Sequence, residues 1–409
     1  MIVLENKKLI IGMILDNDFP PDPRVENEAQ VLINAGFQVN LFAFSYSKEF
    51  TERETYKGIE VYRYFCGKLL YKLSALAYTI PLYHYFLRKP ISKFIKETKC
   101  NTLHIHDIQV ARAVFLLQSK LKFKVVLDLH ENRPEIMKFY KHVKSFPWKY
   151  LINPKNWKQY EEEYVKRSNG VVVVTSHAKK EVIRRTGVSE MKIVVAPNVV
   201  SQKYELNQPI DSTIVEKYKD NFVLLYLGDT SERRGLNVAI KSVPEICLYI
   251  ENLKLVIVGS SSYDDNLKVL AEKLGVSDYI DFLGWKNFNL FPSFIKASNI
   301  CISPLEKNIH HDTTYANKLF QYMALGGILL VSDCDAQEDL INETETGLVF
   351  KNQSVDDFTN KVLKLFNNKS LRNKYSKNGI KAVSQKYNWE KAGQELVDFY
   401  KDLSVSNYE

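Results

Sequence analysis

The feature that most constrains this chain is an alternation that persists almost from end to end. Short runs, nearly all apolar and rich in β-branched residues, are each followed by a longer segment with helical spacing. The first series lies at 9–15 (LIIGMIL), 38–44 (QVNLFAF), 102–106 (TLHIH), 124–129 (KVVLDL), 170–175 (GVVVVT) and 192–196 (KIVVA). A second occupies 222–228 (FVLLYLG), 253–259 (LKLVIVG), 279–283 (YIDFL), 299–303 (NICIS) and 328–332 (ILLVS). A strand apolar at successive positions is buried on both faces, and strands joined through helices run parallel. The chain therefore reads as α/β, with doubly wound parallel sheets.

At 409 residues it exceeds one ordinary core and suits two domains of about 200 residues each. The break falls in the polar stretch 200–217, VSQKYELNQPIDSTIVEK, which lacks a strand pattern. The amphipathic segment 387–403 fits a helix that could pack on either domain.

A hydrophobic fraction of 45% and a charged fraction of 25% belong to a soluble globular chain. The net charge of +8 favours an anionic partner: nucleotide phosphates, nucleic acid or an acidic membrane face. Five widely spaced cysteines without a Cys-x-x-Cys pair read as reduced, buried thiols of a cytosolic protein. The opening MIVLENKKLIIGMIL has charges inside its apolar part and no cleavage site, so it reads as a first strand rather than a leader.

Ligands of such sheets bind beyond the carboxyl ends of the strands, which selects a few loops. After the first run comes DNDFPPDPRVENEAQ, where Asp22 suits an N-cap and Pro23 the first helical position. Arg24 then sits in a first turn that disfavours cations; either a bound anion or an i,i+4 pair with Glu28 compensates it. GDTSERRG follows the first run of the second series. Gly228 permits close backbone approach, and Arg233-Arg234 precede a glycine and a new helix, which suits a diphosphate; a solvated loop is the alternative. In ANKLFQYMALGG, backbone N–H groups near 316–318 and Lys318 make an anion site, with Leu319 and Met323 toward the core and Asn317 and Gln321 on another face.

His104 and His106 alternate along one strand and share a face, close in sequence to His130, Glu131 and Glu135. A metal site and an ordinary cluster of rim histidines both fit, the second being commoner. The pairs DND (16–18) and DCD (333–335) are too short to specify a metal. Residues 69–87 are nearly uncharged, but Lys72, Pro81 and His84 interrupt them, which argues against a membrane span. Residues 61–100 hold eight Lys/Arg against one Glu. That composition fits either contact with an anionic membrane surface or core helices with a solvated basic face.

Taken together, PPDPRVENEAQVLINAGFQV, LHIHD, LDLHENRPE, VVVVTSHAKKEV, VVAPNVV, LLYLGDTSERRGL, LKLVIVG and NKLFQYMALGGILLVSD resemble, in order and spacing, the bacterial family 4 glycosyltransferases of the GT-B fold. The resemblance covers nearly the whole chain. It implies two Rossmann-like domains facing across a cleft: 1–200 with a returning helix in 388–409 for the acceptor, and 201–387 for a nucleotide-diphosphate sugar. It implies that Arg234 holds the donor diphosphate, that His130 lies near the transferred sugar, and that backbone around Ala316, Asn317 and Lys318 holds phosphate oxygens. Gly228 and Arg233 belong to the same donor loop. No metal or other cofactor is implied, because cations and helix N–H groups neutralise the leaving group.

The sequence departs from the family pattern at four positions. Thr313 and Gln321 stand where the family carries two glutamates eight residues apart, the second of which accepts from ribose hydroxyls. Gln321 can accept through its amide oxygen, without charge. Asp229 stands where an arginine often follows the glycine, and Ala316 where proline is common.

The leading expectation is a retaining glycosyltransferase of the hexosyltransferase kind. It would act on a glycan or lipid-linked acceptor in polysaccharide assembly, in the cytoplasm or at the inner face of the membrane. A sugar-nucleotide epimerase on the same fold, with Asp107, Glu131 and Glu135 for proton transfer, is a second reading. A degenerate partner subunit, motivated by Thr313 and Gln321, is a third. Nucleic acid is not expected as a partner, since no readout module is present.

Overall fold

The computed structural model describes residues 9–146, 148–204 and 208–405. Residues 1–8, on which part of the leader argument rests, and 205–207, within the polar break, lie outside them. The chain divides into two compact units, Met1–Pro197 with Lys391–Glu409, and Asn198–Glu390.

The sheet of unit 1 contains β1 (Ile10–Asp18), β2 (Gln38–Ser45), β3 (Arg53–Tyr56), β4 (Ile59–Phe65), β5 (Thr102–His106), β6 (Lys124–Leu129), β7 (Gly170–Val173) and β8 (Ile193–Val195). Their spatial order is β3-β4-β2-β1-β5-β6-β7-β8. Only the β3–β4 hairpin is antiparallel. Unit 2 contains β9 (Phe222–Leu227), β10 (Leu253–Val258), β11 (Ile280–Gly284), β12 (Ile300–Ser303), β13 (Leu329–Ser332) and β14 (Gly347–Phe350). Its order is β11-β10-β9-β12-β13-β14, parallel throughout.

All eleven apolar runs are strands. The sequence reading missed β3, β4 and β14. β3, RETY, is mostly polar and β4, IEVYRYF, interrupts its apolar residues with Glu60 and Arg63, so no continuous run marks this half-exposed hairpin. β14 is only four residues long and starts with glycine. Each sheet reverses direction beside its first strand, between β1 and β5 and between β9 and β12. Such a switch point opens a crevice at the carboxyl ends of those strands.

The last helix, Trp389–Val405, packs on unit 1. It buries Leu396, Val397, Tyr400 and Leu403 in the core cluster that also holds Val25, Ala29 and Leu32 of helix Pro23–Asn34. Each such aliphatic burial contributes about 1.5–3 kcal/mol. Close approach is permitted at Gly170, where a Cβ would come within 2.3 Å of the Phe399 ring. The unit boundaries fall at 197/198 and 390/391, against 200/201 and 387/388 from the sequence. The two crossing segments bond to each other: Trp389 N donates to the Val200 carbonyl at 2.9 Å, and Gln202 N to Glu390 Oε2 at 2.7 Å.

Candidate functional site

In unit 1 the site grows from one face of β5 and β6. His104 and His106 share that face, as the alternation requires, with ring centroids 4.5 Å apart. His106 is in register with Asp128. Asp128 is the hub. Arg24 grips it with two bonds, Nη2 to Oδ1 at 2.7 Å and Nε to Oδ2 at 3.0 Å. The same guanidinium meets Glu28 at 3.0 Å and donates to the Ala196 carbonyl at 2.8 Å. Of the two sequence readings for Arg24, the pairing with Glu28 is present, and Asp128 adds a second carboxylate. Asp22 caps the helix as expected, accepting from Val25 N at 3.1 Å.

His130 Nε2 lies 2.8 Å from Asp128 Oδ2, and its Nδ1 lies 3.8 Å from Asp107. His104 Nε2 lies 3.3 Å from Glu28, and its Nδ1 meets the Tyr400 hydroxyl of the last helix at 2.7 Å. Burial opposes ionisation of Asp128, but Arg24 and then His130 override it and hold the carboxyl well below the usual carboxylate range. Burial likewise opposes charge on His130; Asp128 and then Asp107 raise it to about 9. His106, pushed down to about 3 by burial and by His104, stays neutral. Thus His130 is an imidazolium at neutral pH, a hydrogen-bond donor rather than a base.

Asp107 holds its place with φ 62° and ψ 164°, a region almost reserved for glycine that costs on the order of 1–3 kcal/mol. Arg133 braces it at 3.0 Å. These groups line a pocket of about 500 Å³. Its wall includes Asp16, Asp107, Gln109, His130 and Arg133. Burial, and then Asp107, raise Asp16 to about 6.

Glu28, His104, His106 and Asp128 offer atoms within 4.8 Å of one another, a donor set that a metal could use. All four are fully buried, and Arg24 already compensates both carboxylates. The Asp-x-Asp pairs serve locally. Asp18 accepts from Tyr46 N at 3.1 Å. Asp333 accepts from Asn352 N at 3.0 Å, and Asp335 pairs with Lys307.

In unit 2 the site grows from the end of β9. Gly228, with φ 113°, turns the chain into a loop that ends in the one-turn helix Glu232–Arg234. Gly235 has φ 72°, and a Cβ there would lie 1.8 Å from the Pro304 carbonyl, so the donor loop sits directly against the chain after β12. Asp229 takes Arg234 Nε at 3.2 Å and lies 3.6 Å from Arg233. Arg233 Nη1 donates to His311 Nε2 at 3.2 Å. Burial pushes His311 down to about 4, so it adds no charge.

The NKLF helix runs Lys318–Ala324 and buries Leu319, Phe320, Tyr322 and Met323. Leu227 N donates to the Tyr322 hydroxyl at 2.9 Å, which pins the helix to β9. The Lys318 ammonium lies 3.3 Å from the centroid of the Tyr226 ring and is buried without a hydrogen-bond partner. Burial, and then Arg234, push its pKa well below the ordinary lysine value. Of the residues chosen from sequence, the structure brings Gly228, Arg233, Arg234 and Lys318 together. Ala316 is buried, Asn317 exposed and Gln321 half-buried one turn on. The Thr313 hydroxyl donates to the Ile309 and His310 carbonyls at 2.8 and 3.2 Å.

Asp128 was missed, Asp16 was weighed only as part of an Asp-x-Asp pair, and His311 was not singled out. Asp128 had a signal: a carboxylate inside the otherwise apolar run KVVLDL must have a buried partner.

Two doubly wound units, one carrying a basic loop at its switch point, define the GT-B class. Residues 24–203 match Glycosyltransferase Family 4, and residues 207–382 match Glycosyl transferases group 1. The chain belongs to the family 4 type of GT-B glycosyltransferases. CapM, a capsular polysaccharide biosynthesis glycosyltransferase of Staphylococcus aureus, is 24% identical over 56% of this chain and 60% of its own. The first curated relatives are matched over 58–60% of their length. Sucrose-phosphate synthase from Thermosynechococcus elongatus superposes with a TM-score of 0.76 at 15% identity, over 98% of this chain and 100% of its own. HepE from Anabaena, solved with UDP, gives 0.69 at 13% identity, over 96% and 100%.

Proposed function

We propose that the protein transfers a hexose, with retention, from a nucleotide-diphosphate sugar to a glycan acceptor. The observation that carries this is the basic loop of unit 2 beside a buried lysine. Arg233 and Arg234 both face the Asp229 carboxylate, and the Lys318 nitrogen, buried without a hydrogen-bond partner, feels Arg234 and Asp229. Burial favours the neutral amine of Lys318, and a diphosphate beside it would favour protonation to the ammonium and supply its missing hydrogen-bond partner. The UDP bound by HepE and the saccharide assembly named for CapM agree with this reading.

Unit 2 holds the donor in this scheme, and the carboxylate-lined pocket of unit 1 takes acceptor hydroxyls. Arg234, Arg233 and Lys318 stabilise the leaving diphosphate, with backbone at Ala316 and Asn317 against its oxygens. Gln321 accepts from the ribose, and Thr313 stands by the donor sugar as a packing residue. The acceptor oxygen forms the new glycosidic bond on the face the diphosphate leaves, and the leaving phosphate takes the acceptor proton. His130 donates to the transferred sugar. No metal takes part, because the side chains already provide the positive charge. The acceptor is lipid-linked and met at the cytoplasmic face of an anionic membrane, through residues 61–100. Among the described residues no helix is long and apolar enough to cross a membrane.

The test is a thermal-shift screen of UDP-, GDP-, ADP- and dTDP-sugars on wild type and Arg234→Ala. One nucleotide class at a hundred times its dissociation constant adds about 2.7 kcal/mol to wild type. The variant loses most of that. No shift with any of the four would overturn donor binding and leave the partner-subunit reading.

A further inference from the structure

Two runs of exposed apolar side chains meet on unit 1. Helix Leu82–Thr98 buries Tyr83, Leu87, Ile91 and Phe94 and turns Leu82, Tyr85 and Phe86 outward, Tyr85 being 64% exposed. The second run surrounds the short helix Trp148–Leu151, with Phe146 80% and Tyr150 71% exposed beside Trp148 and Leu151. The Thr79 hydroxyl donates to the Leu151 carbonyl at 2.5 Å, three residues before Leu82. That bond sets side by side two runs far apart in the sequence.

Charge around them is mainly positive. Residues 136–160 carry six lysines and no Asp or Glu, of which Lys138 and Lys158 pair with Glu135 and the other four add to the excess already noted in 61–100. Lys149 stands over the Tyr150 ring at 4.9 Å and Arg88 over the Tyr85 ring at 5.9 Å. Rings with an apolar body, flanked by cations, suit the boundary between acyl chains and anionic headgroups. The pocket holding His130 lies at the border of this surface: Tyr71, Ser74, Ala75 and Tyr140 line it, from the segments that lead into the two runs.

We propose that both runs together form a docking surface for an anionic bilayer, the 146–151 run being as necessary as 82–86. A lipid-linked acceptor then reaches the pocket from the membrane side, which rests on the transferase reading above. Wild type is expected to sediment with phosphatidylcholine vesicles containing phosphatidylglycerol, less so at high salt, and not with phosphatidylcholine alone. The triple variant Phe146→Ser, Trp148→Ser, Tyr150→Ser and the double variant Tyr85→Ser, Phe86→Ser each weaken this binding roughly tenfold or more. Both keep the donor-induced thermal shift, which shows that they fold.

Three results would overturn the proposal: triple-variant binding within about twofold of wild type, equal binding to neutral vesicles, or no vesicle binding. Self-association of wild type that the triple variant abolishes, without vesicle binding, would assign the surface to a second copy. Vesicle binding without any donor shift would instead sink the transferase reading and leave the docking surface standing.

Discussion

Unit 1 and unit 2 each gather buried charge at the switch point of a parallel sheet, but they balance it differently. Around Asp128, every cation faces a carboxylate: Arg24 meets Asp128 and Glu28, His130 meets Asp128 and Asp107, and Arg133 meets Asp107. Around Lys318, Arg233 and Arg234 both face Asp229, and the lysine nitrogen has no hydrogen bond. A compensated cluster fixes geometry and protonation; an uncompensated one is ready for an anion. The first is a scaffold that keeps His130 charged and aimed. The second leaves a buried lysine nitrogen without a hydrogen-bond partner, which an anion would supply.

Asp128→Asn gives the largest effect. It leaves Arg24 and His130 buried without their main partner, so stability falls by about 3–5 kcal/mol in urea unfolding. Loss below about 1 kcal/mol would break the claim that unit 1 is a compensated scaffold.

Lys318→Met sharpens the contrast. It removes a buried lysine nitrogen that has no hydrogen bond, so the free protein keeps or gains stability. Donor binding loses a charge-assisted contact of about 1.5–3 kcal/mol, read as a smaller donor-induced thermal shift. Destabilisation matching that of Asp128→Asn would show that Lys318 is structural and erase the difference between the units.

The smallest effect is in pH. The folded pKa of His130, about 9, lies above the unfolded value. Its contribution is therefore complete below about pH 6.5 and is lost as pH rises through about 9. With its partial exposure, the loss amounts to roughly 2 kcal/mol. Urea midpoints across that range should fall in wild type and flatten in Asp128→Asn. Equal slopes would mean that Asp128 does not set the charge of His130.

Much of this was legible before folding. Eleven strands announced themselves because a strand buried on both faces needs an unbroken apolar run, whereas β3 and β4 did not, their edge position tolerating polar residues. The Asp22-Pro23 helix start was readable because capping is decided within three residues. The basic loop before Gly235 was readable for the same reason, since Arg233, Arg234 and the glycine are neighbours. Lys318 was readable only as a cation near a helix start. Its covered state, without a hydrogen-bond partner, depends on Tyr226, Arg234 and Asp229, which β9 and the loop after it supply. Thr313 looked like a lost ligand, and the structure shows its hydroxyl spent on the preceding turn.

The sequence alone determined the two parallel sheets and the basic loop before Gly235, because periodicity, caps and glycine turns act over a few residues; the strand order and its switch points came with the fold. Only the tertiary structure decided which charges are compensated. Asp128 draws its partners from positions 24, 106 and 130, and Tyr400 closes the network through His104 from almost the other end of the chain. Coulomb energy and burial depend on distance through space, so the charge on His130 and the covering of the Lys318 nitrogen appear only once those distant segments are packed.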